Sequence, residues 1–181
     1  MTHYGGPELA ASFRTVRTNT IRIAEDIPEE KYSFSAAPGA RSIGQTLAHI
    51  AHVPMLQMHV HQNAIDDLKT VNFPDLMQRM MAAEAEPRTK SEVLSLLHGE
   101  GENFAAFLEA LDQAFLAQRV GMPPGVEPAT KSRLEMLLSP KEHEMHHRGQ
   151  LMMLQRMIGI TPHLTRQMQE RLARAAQQGQ R

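Results

Sequence analysis

Cysteine and tryptophan are both absent from this chain of 181 residues. Without cysteine the protein can form no disulfide, offers no thiolate to a metal ion and has no cysteine nucleophile. Any metal ion must therefore be held by His, Asp or Glu. A reaction that uses a thiol has to take that thiol from another molecule.

Aromatic residues are also scarce, at 4% of the chain, whereas methionine is abundant, with 13 residues. Strands favour β-branched and aromatic side chains, while helices favour residues such as Leu, Ala and Met. The hydrophobic content of 41% and the charged content of 22% are ordinary for a globular protein, and the length suits one compact core. We therefore expect a single all-α domain over residues 1–181.

The chain has no excess of charge of either sign, since 19 basic residues face 20 acidic ones. No strong field draws it to nucleic acid or to an anionic membrane surface. No stretch approaches the roughly 20 apolar residues that a membrane helix needs. The first residues also lack the basic head and apolar run of a secretory signal. We expect a cytoplasmic protein that binds neither nucleic acid nor membrane.

Prolines, glycines and capping residues divide the chain into four main helical segments. We expect helices over about residues 7–26, 42–64, 90–118 and 130–158, a loop over residues 121–128 and a further short helix over residues 165–177. Residues 69–88 form a long connection that could hold a short helix after Pro74. Pro54 should kink or briefly break the second helix, and Pro140 should leave the fourth either kinked or in two pieces. Four long helices with one long connection predict a four-helix bundle.

The placement of the ten histidines is the most informative feature of the sequence. His143 and His147 are four residues apart, so they lie on one helix face and can share one metal ion. Stepping along that face by three or four residues leads to Leu151 and Leu154, so the face is the one that packs on the core. Imidazoles that face an apolar interior are costly unless their ring nitrogens are satisfied, and a metal ion satisfies one nitrogen of each.

A third ligand is predicted from the second helix, where His49 shares a face with Val53 and Val60. Sites in helix bundles are built from inward side chains on facing helices. His49, His143 and His147 are therefore the candidate ligands of one divalent metal ion. Three neutral imidazoles leave a coordination position open, which is typical of catalytic sites. His52 could replace His49 or lie beside the site. We interpret the remaining candidates as surface or core residues: His59, His61, His98, His146 and His163.

Two segments of the chain carry a family resemblance. The late segment His143-Glu-Met-His-His147-Arg-Gly-Gln-Leu resembles the His-x-x-x-His-Arg-Gly-Gln motif of the DinB/YfiT-like superfamily. The segment Ser-Ile-Gly-Gln-Thr-Leu-Ala-His49-Ile resembles the region around that family's first ligand. A Gly-Ile-x-Pro stop that ends at Pro162 follows the late motif. The resemblance spans nearly the whole chain.

The resemblance implies a four-helix bundle with a long crossover connection between helices 2 and 3, often as a homodimer. It implies that His49, His143 and His147 are a metal triad, with zinc or nickel as the metal. Family members of known activity attach low-molecular-weight thiols to electrophiles, and one is a thiol-dependent isomerase. The implied function is a metal-dependent transferase that carries a small thiol to a small electrophilic substrate.

Three other functions stay open from the sequence. His143-Glu144-x-x-His147 also matches the zinc-protease pattern, with Glu144 as general base. The extended form of that pattern needs glycine and histidine where this chain has Gln150 and Met153, and no strand for an extended peptide is predicted. In a bundle we expect Glu144 to turn away from the metal and to hydrogen-bond a neighbour. A metal-dependent hydrolase of a small substrate and a non-enzymatic, metal- or ligand-binding stress-response bundle would use the same three histidines.

Overall fold

The computed structural model describes residues 4–178 of the chain. These residues contain eight α-helices and one small β-hairpin, joined by loops. The helices are Gly6–Asp26 (α1), Ile43–His52 (α2), Pro54–Gln62 (α3), Phe73–Ala85 (α4), Lys90–Glu109 (α5), Gln113–Ala117 (α6), Arg133–Met157 (α7) and His163–Gln178 (α8). The strands Arg119–Gly121 (β1) and Thr130–Ser132 (β2) pair antiparallel, and single 3-10 turns cover Glu29–Lys31 and Leu68–Thr70.

Four segments form a four-helix bundle: α1, the consecutive pair α2 and α3, α5, and α7. The helix α4 lies in the long connection between the second and third of these segments and packs on α2. This arrangement confirms the predicted bundle with its crossover. The first and last three residues of the predicted single domain lie outside the described residues, and the single-domain boundary stays a prediction. No helix in residues 4–178 is both long enough and apolar enough to cross a membrane.

Of the three apolar clusters among residues 4–178, the two larger ones lie mainly between the helices of the bundle. Phe13 and Phe104 lie in one of them, with their rings edge to face and their centroids 4.9 Å apart. Leu47, Leu97 and Leu151 lie in the other, and none of the three is measurably exposed. Each such side chain contributes about 1.5–3 kcal/mol when it is fully buried. The apolar stripes of the helices therefore hold the bundle together on either side of a polar layer.

That polar layer is a buried ion pair between Arg17 of α1 and Glu144 of α7, which are 4% and 1% exposed. The Nε atom of Arg17 donates to both carboxylate oxygens at 3.1 Å. Its Nη1 atom donates to the carbonyl oxygen of Leu97 at 2.8 Å, and its Nη2 atom to that of Ile50 at 3.2 Å. Because Pro54 has no N–H, the Ile50 carbonyl lacks its usual partner one turn later, and Arg17 replaces it.

The three prolines inside helical segments affect their helices differently. Pro54 breaks the second helix for one residue, so α2 ends at His52 and α3 begins at Pro54. Pro140 lies inside α7, which is a single helix and not two pieces. Pro74 lies in the first turn of α4, which is longer than the short helix expected there.

Two boundary predictions were wrong. The third helix ends at Glu109 instead of near residue 118, because Asp112 accepts a hydrogen bond from the Phe115 N–H at 2.7 Å and starts the separate helix α6. The fourth helix begins after Ser132, whose hydroxyl and the Glu135 carboxylate cap it reciprocally. Thr130 lies instead in β2, one of two strands of three residues each that were not predicted.

Candidate metal centre

The three predicted histidines converge at one point between α2 and α7. The Nε2 atom of His143 lies 2.8 Å from the Nε2 atom of His49 and 3.0 Å from that of His147. All three donor atoms lie within 4.8 Å of one another. The predicted convergence of two imidazoles from a late helix with one from an early helix is therefore observed.

Helical spacing produces this cluster. His143 and His147 lie one turn apart on α7, with ring centroids separated by 4.5 Å. The ring of His49 comes from α2, with centroids 4.9 Å and 4.7 Å from those two rings. His49 and His147 are buried, each 7% exposed, and His143 is half-buried. The capping box of Ser42 and Gln45 begins α2 seven residues before His49 and sets the phase of that helix.

The surroundings keep the imidazoles of α7 neutral. The pKa of His143 is lowered to about 4, mainly by burial and secondly by the neighbouring His147 and His49. Burial is also the main cause that lowers the pKa of His147. At neutral pH these rings carry lone pairs that a metal ion can accept, whereas protonated rings would repel it.

A carboxylate fixes the tautomer of His49. The Nδ1 atom of His49 forms a short hydrogen bond with Oε1 of Glu84, and the other carboxylate oxygen of Glu84 accepts from Nε of Arg41 at 3.2 Å. Because a carboxylate accepts hydrogen bonds, the imidazole proton lies on Nδ1 and the Nε2 lone pair is directed into the cluster. Glu84 lies on α4, in the crossover. The sequence carries no periodic signal that relates it to His49.

An amide supports His147 in the same way. The Nδ1 atom of His147 donates to Oε1 of Gln150 at 2.7 Å, and the amide nitrogen of Gln150 contacts Nε2 of His146 at 3.1 Å. His146 is exposed, as predicted. Gln150 belongs to the motif that carries the family resemblance, and its fixed spacing of three residues from His147 is the signal that could have assigned it this role.

These hydrogen bonds leave too few N–H donors for the three Nε2 atoms to hydrogen-bond one another. With the protons of His49 and His147 on Nδ1, only His143 can donate from Nε2, and it can donate to one neighbour. At least one further lone pair is then directed at another nitrogen across a short distance. A cation placed among the three Nε2 atoms removes that repulsion, so the donor set fits a metal ion.

The other candidate histidines lie outside the cluster. His52 is buried, and neither of its ring nitrogens has a hydrogen-bond partner within residues 4–178. Burial lowers its pKa, followed by the effect of Arg88. His61 is also buried and contacts Arg133 and Gln57 at 3.0 Å and 3.1 Å, so it is a core residue.

Glu144 does not face the three histidines. Both of its carboxylate oxygens are bound by Arg17 in the buried polar layer. The expectation that Glu144 turns away and hydrogen-bonds a neighbour is confirmed. A carboxylate held in this ion pair is unsuited to take a proton from a nucleophile at the histidine cluster, so the protease pattern has no general base here.

An open cavity of about 890 Å³ lies beside the cluster. His147, Glu84 and Gln150 line it on the side of the cluster, and Arg41 lies in its wall. Methionines of α4 and α7 line much of the remainder. Such a volume is within the range that holds small molecules. The cluster is therefore accessible to a small ligand from this side.

Comparison with known proteins gives one family and several similar structures. A family model described as the DinB superfamily matches residues 12–151. The uncharacterized protein YjoA of Bacillus subtilis strain 168 is 25% identical over 154 residues, which are 85% of this chain and 91% of YjoA.

Among solved structures, YjoA, described as a DinB-like protein, has a TM-score of 0.63 at 21% identity, over 85% of this chain and 94% of that one. YfiT from Bacillus subtilis, described as a probable metal-dependent hydrolase with an unusual four-helix bundle topology, has a TM-score of 0.66 at 14% identity, over 89% and 91%. A mycothiol-dependent maleylpyruvate isomerase has a TM-score of 0.63 at 13% identity, over 83% of this chain and 63% of the isomerase. At these identities the structures show a shared fold.

Proposed function

The chain belongs to the DinB superfamily, and from that premise we propose that it is a metal-dependent enzyme acting on a small molecule. In this proposal His49, His143 and His147 hold one divalent ion, zinc or nickel. The single observation that carries the proposal is the convergence of three Nε2 atoms within 4.8 Å of one another. Imidazole donors suit both metals.

The surrounding residues supply what a catalytic metal site needs. Glu84 and Gln150 hold the Nδ1 protons of His49 and His147, so the ligating nitrogens are oriented before any ion arrives. Loss of such supporting hydrogen bonds typically lowers metal affinity about 10–100-fold. Three protein ligands leave a further position open, and the cavity lies beside it.

We propose that the reaction is the transfer of a low-molecular-weight thiol to a small electrophile. When bound, the metal would supply Lewis acidity that lowers the pKa of a thiol at the open position. Two observations support a thiol. The chain has no cysteine, so no protein thiol competes for the ion. A thiol-dependent isomerase also shares the fold.

The chain's own acid–base groups favour the same reaction. Glu84 is the only carboxylate among the described residues that line the cavity, and it is already bound to His49 and Arg41. The cavity therefore holds no free carboxylate to act as a general base. A thiol, with an ordinary pKa near 8.5, depends less on such a base than water does.

A metal-dependent hydrolase is the second candidate, and its support is the similarity to YfiT. It would use the same three ligands, but water would take the place of the thiol. Turnover that requires an added thiol distinguishes the transferase from the hydrolase. Stoichiometric metal with no turnover of either kind would favour a non-enzymatic binding protein.

Metal content tests the site itself. Protein purified without a histidine tag should contain about one divalent ion per chain, measured by inductively coupled plasma mass spectrometry. His147→Ala should lose that ion, because it removes one of three ligands. His98→Ala is the matched control, since His98 is exposed on α5 and lies outside the cluster. Equal metal content in the two variants would contradict the proposal.

We also propose that the protein forms a homodimer, as the family resemblance implies. Met168 and Leu172 of α8 are exposed, at 56% and 59%, and leave apolar surface on that helix. Multi-angle light scattering should give twice the mass of 20.3 kDa calculated for one chain. A monomeric mass at micromolar concentration would contradict the dimer.

A further inference from the structure

We propose that the cavity beside the three histidines recognises a carboxylate-bearing small molecule, and that the guanidinium of Arg41 is the group that binds the carboxylate. This inference rests on the proposed function for the identity of the site, and it adds the substrate class. It concerns a residue outside both motif segments that resemble the family. Three features of the cavity support it. They are the unused hydrogen-bond donors of Arg41, the charges that surround the site, and the apolar side chains in the rest of the wall.

Arg41 has unused hydrogen-bonding capacity at the cavity. Within residues 4–178 its only side-chain partner is Glu84, which accepts from Nε at 3.2 Å. The terminal nitrogens Nη1 and Nη2 have no partner there, and the side chain is 46% exposed. The bond at Nε restrains the guanidinium plane, so its other donors are available in a defined orientation. A planar guanidinium with free donors binds a carboxylate by two parallel hydrogen bonds.

The charge of the site also favours an anion. Arg41 and Glu84 are the charged residues among the described residues that line the cavity, and they balance each other. All three candidate ligands are imidazoles, so the charge of a divalent ion would not be compensated by any protein ligand. The cavity wall at Arg41 and Gln45 also lies at the amino end of α2, whose dipole adds a positive field. The loaded site is therefore positive and attracts an anionic substrate.

The rest of the wall suits a short apolar group. Met81, Met153 and Met157 line the cavity and are 63%, 59% and 53% exposed, and the exposed Ala36 and the buried Leu154 also line it. Methionine side chains are flexible and adapt to ligands of different shape. Covering these side chains with a hydrocarbon group removes apolar surface from water, which favours binding. The combination of an arginine with unused terminal donors and an adaptable apolar wall selects a molecule with a carboxylate and a short apolar chain.

The test compares carboxylates with the amides of the same chain length. Butanoate, hexanoate and octanoate and their primary amides are titrated into the full chain by isothermal titration calorimetry, before and after metal removal with a chelator. At least one carboxylate should bind about tenfold or more tightly than its amide, because hydrogen bonds between charged groups are stronger than those between neutral groups. The preference should persist without metal, since Arg41 does not depend on the ion.

Two pairs of variants locate the binding. Arg41→Gln should reduce the preference for the carboxylate to about twofold or less, whereas Arg79→Gln should leave it unchanged. Arg79 is the matched control because it lies on the exposed side of α4 and pairs with Asp75. Met157→Glu should weaken carboxylate binding more than amide binding by placing a negative charge in the wall. The control Met77→Glu makes the same change at an exposed methionine of α4 that does not line the cavity.

The outcomes separate this inference from the proposed function. No saturable binding of any carboxylate, equal affinity for carboxylate and amide, or a preference that survives in Arg41→Gln would overturn it. Failure of the metal-content experiment would overturn the proposed function alone, because the carboxylate preference is measured on metal-free protein as well. Melting temperatures of all four variants confirm that they are folded, and Met157→Glu keeps the test valid should Arg41→Gln disturb Glu84.

Discussion

Replacing Glu144 by Gln distinguishes a structural from a catalytic role for this residue. The substitution keeps the size of the side chain and removes its charge. Arg17 then keeps its positive charge at 4% exposure with no carboxylate to compensate it. The hydrogen bonds from Arg17 to the carbonyl oxygens of Leu97 and Ile50 prevent the guanidinium from moving into solvent. We therefore expect a large loss of stability with the histidine cluster intact.

The magnitude follows from the burial of the pair. Removing one partner of a buried ion pair typically costs 3–5 kcal/mol, and the amide oxygen that Gln retains places this change at about 3 kcal/mol. For a chain of this length each kcal/mol lowers the melting temperature by about 2–4 °C, so a decrease of about 6–12 °C is expected. Arg17→Met combined with Glu144→Met should cost less than the sum of the two single changes, since no unpaired charge remains.

The assay is thermal unfolding by far-ultraviolet circular dichroism, with metal content measured on the same samples. Glu142→Gln is the control, because Glu142 is an exposed carboxylate two residues away on α7. Glu144→Gln should melt well below this control and retain its metal. If the two variants melt at the same temperature, and Glu144→Gln loses thiol- or water-dependent turnover, Glu144 is a general base and the structural reasoning is wrong.

Three further predictions test the site and the polar layer. Glu84→Ala should lower metal affinity about 10–100-fold in competition with a chromophoric chelator, because the imidazole that it orients becomes free to rotate; unchanged affinity would show that this hydrogen bond does not orient the ligand. The pKa values of His143 and His61 are both lowered to about 4 in the folded protein, mainly by burial, and lie near 6.5 in an unfolded chain. The unfolded state therefore binds more protons between these values, so the melting temperature of metal-free protein should fall as the pH decreases from about 6.5 to about 4, and a flat profile would contradict the assigned burial. Gly101→Ala should lower the melting temperature, because its Cβ would lie 2.9 Å from Cγ of the buried arginine. Gly99→Ala, in the same helix with no atom within 4 Å, should instead raise stability by about 0.5–1 kcal/mol, and equal effects of the two changes would refute the packing argument.

Much of the bundle could be predicted because its signals are local. A stripe of apolar residues at helical spacing identifies a helix and the face that it buries. Capping residues mark where it begins, as Ser42 does for α2. The same periodicity places His143, His147 and His49 on buried faces. Once these faces meet in one core, their imidazoles have to lie close together.

The boundaries near residues 110–132 could not be predicted in the same way. The apolar stripe of α5 continues through Leu111 and Phe115, so periodicity alone extends the helix. A cap at Asp112 competes with that extension, and the break allows the chain to turn into the hairpin. Strands of three residues leave too short an alternating pattern to detect.

What the sequence by itself determined is the set of candidate donor atoms: three imidazoles at positions that helical geometry brings to one core, and no cysteine to replace them. The tertiary structure alone decided what surrounds those donors. Glu84 meets His49 across 35 residues, and Arg17 meets Glu144 across 127. No periodic relation joins such distant residues, because their contacts depend on how the crossover helix lies over α2 and how α1 packs against α7. Those packing interactions place Glu144 in a structural ion pair and bring Glu84 and Arg41 to the cavity.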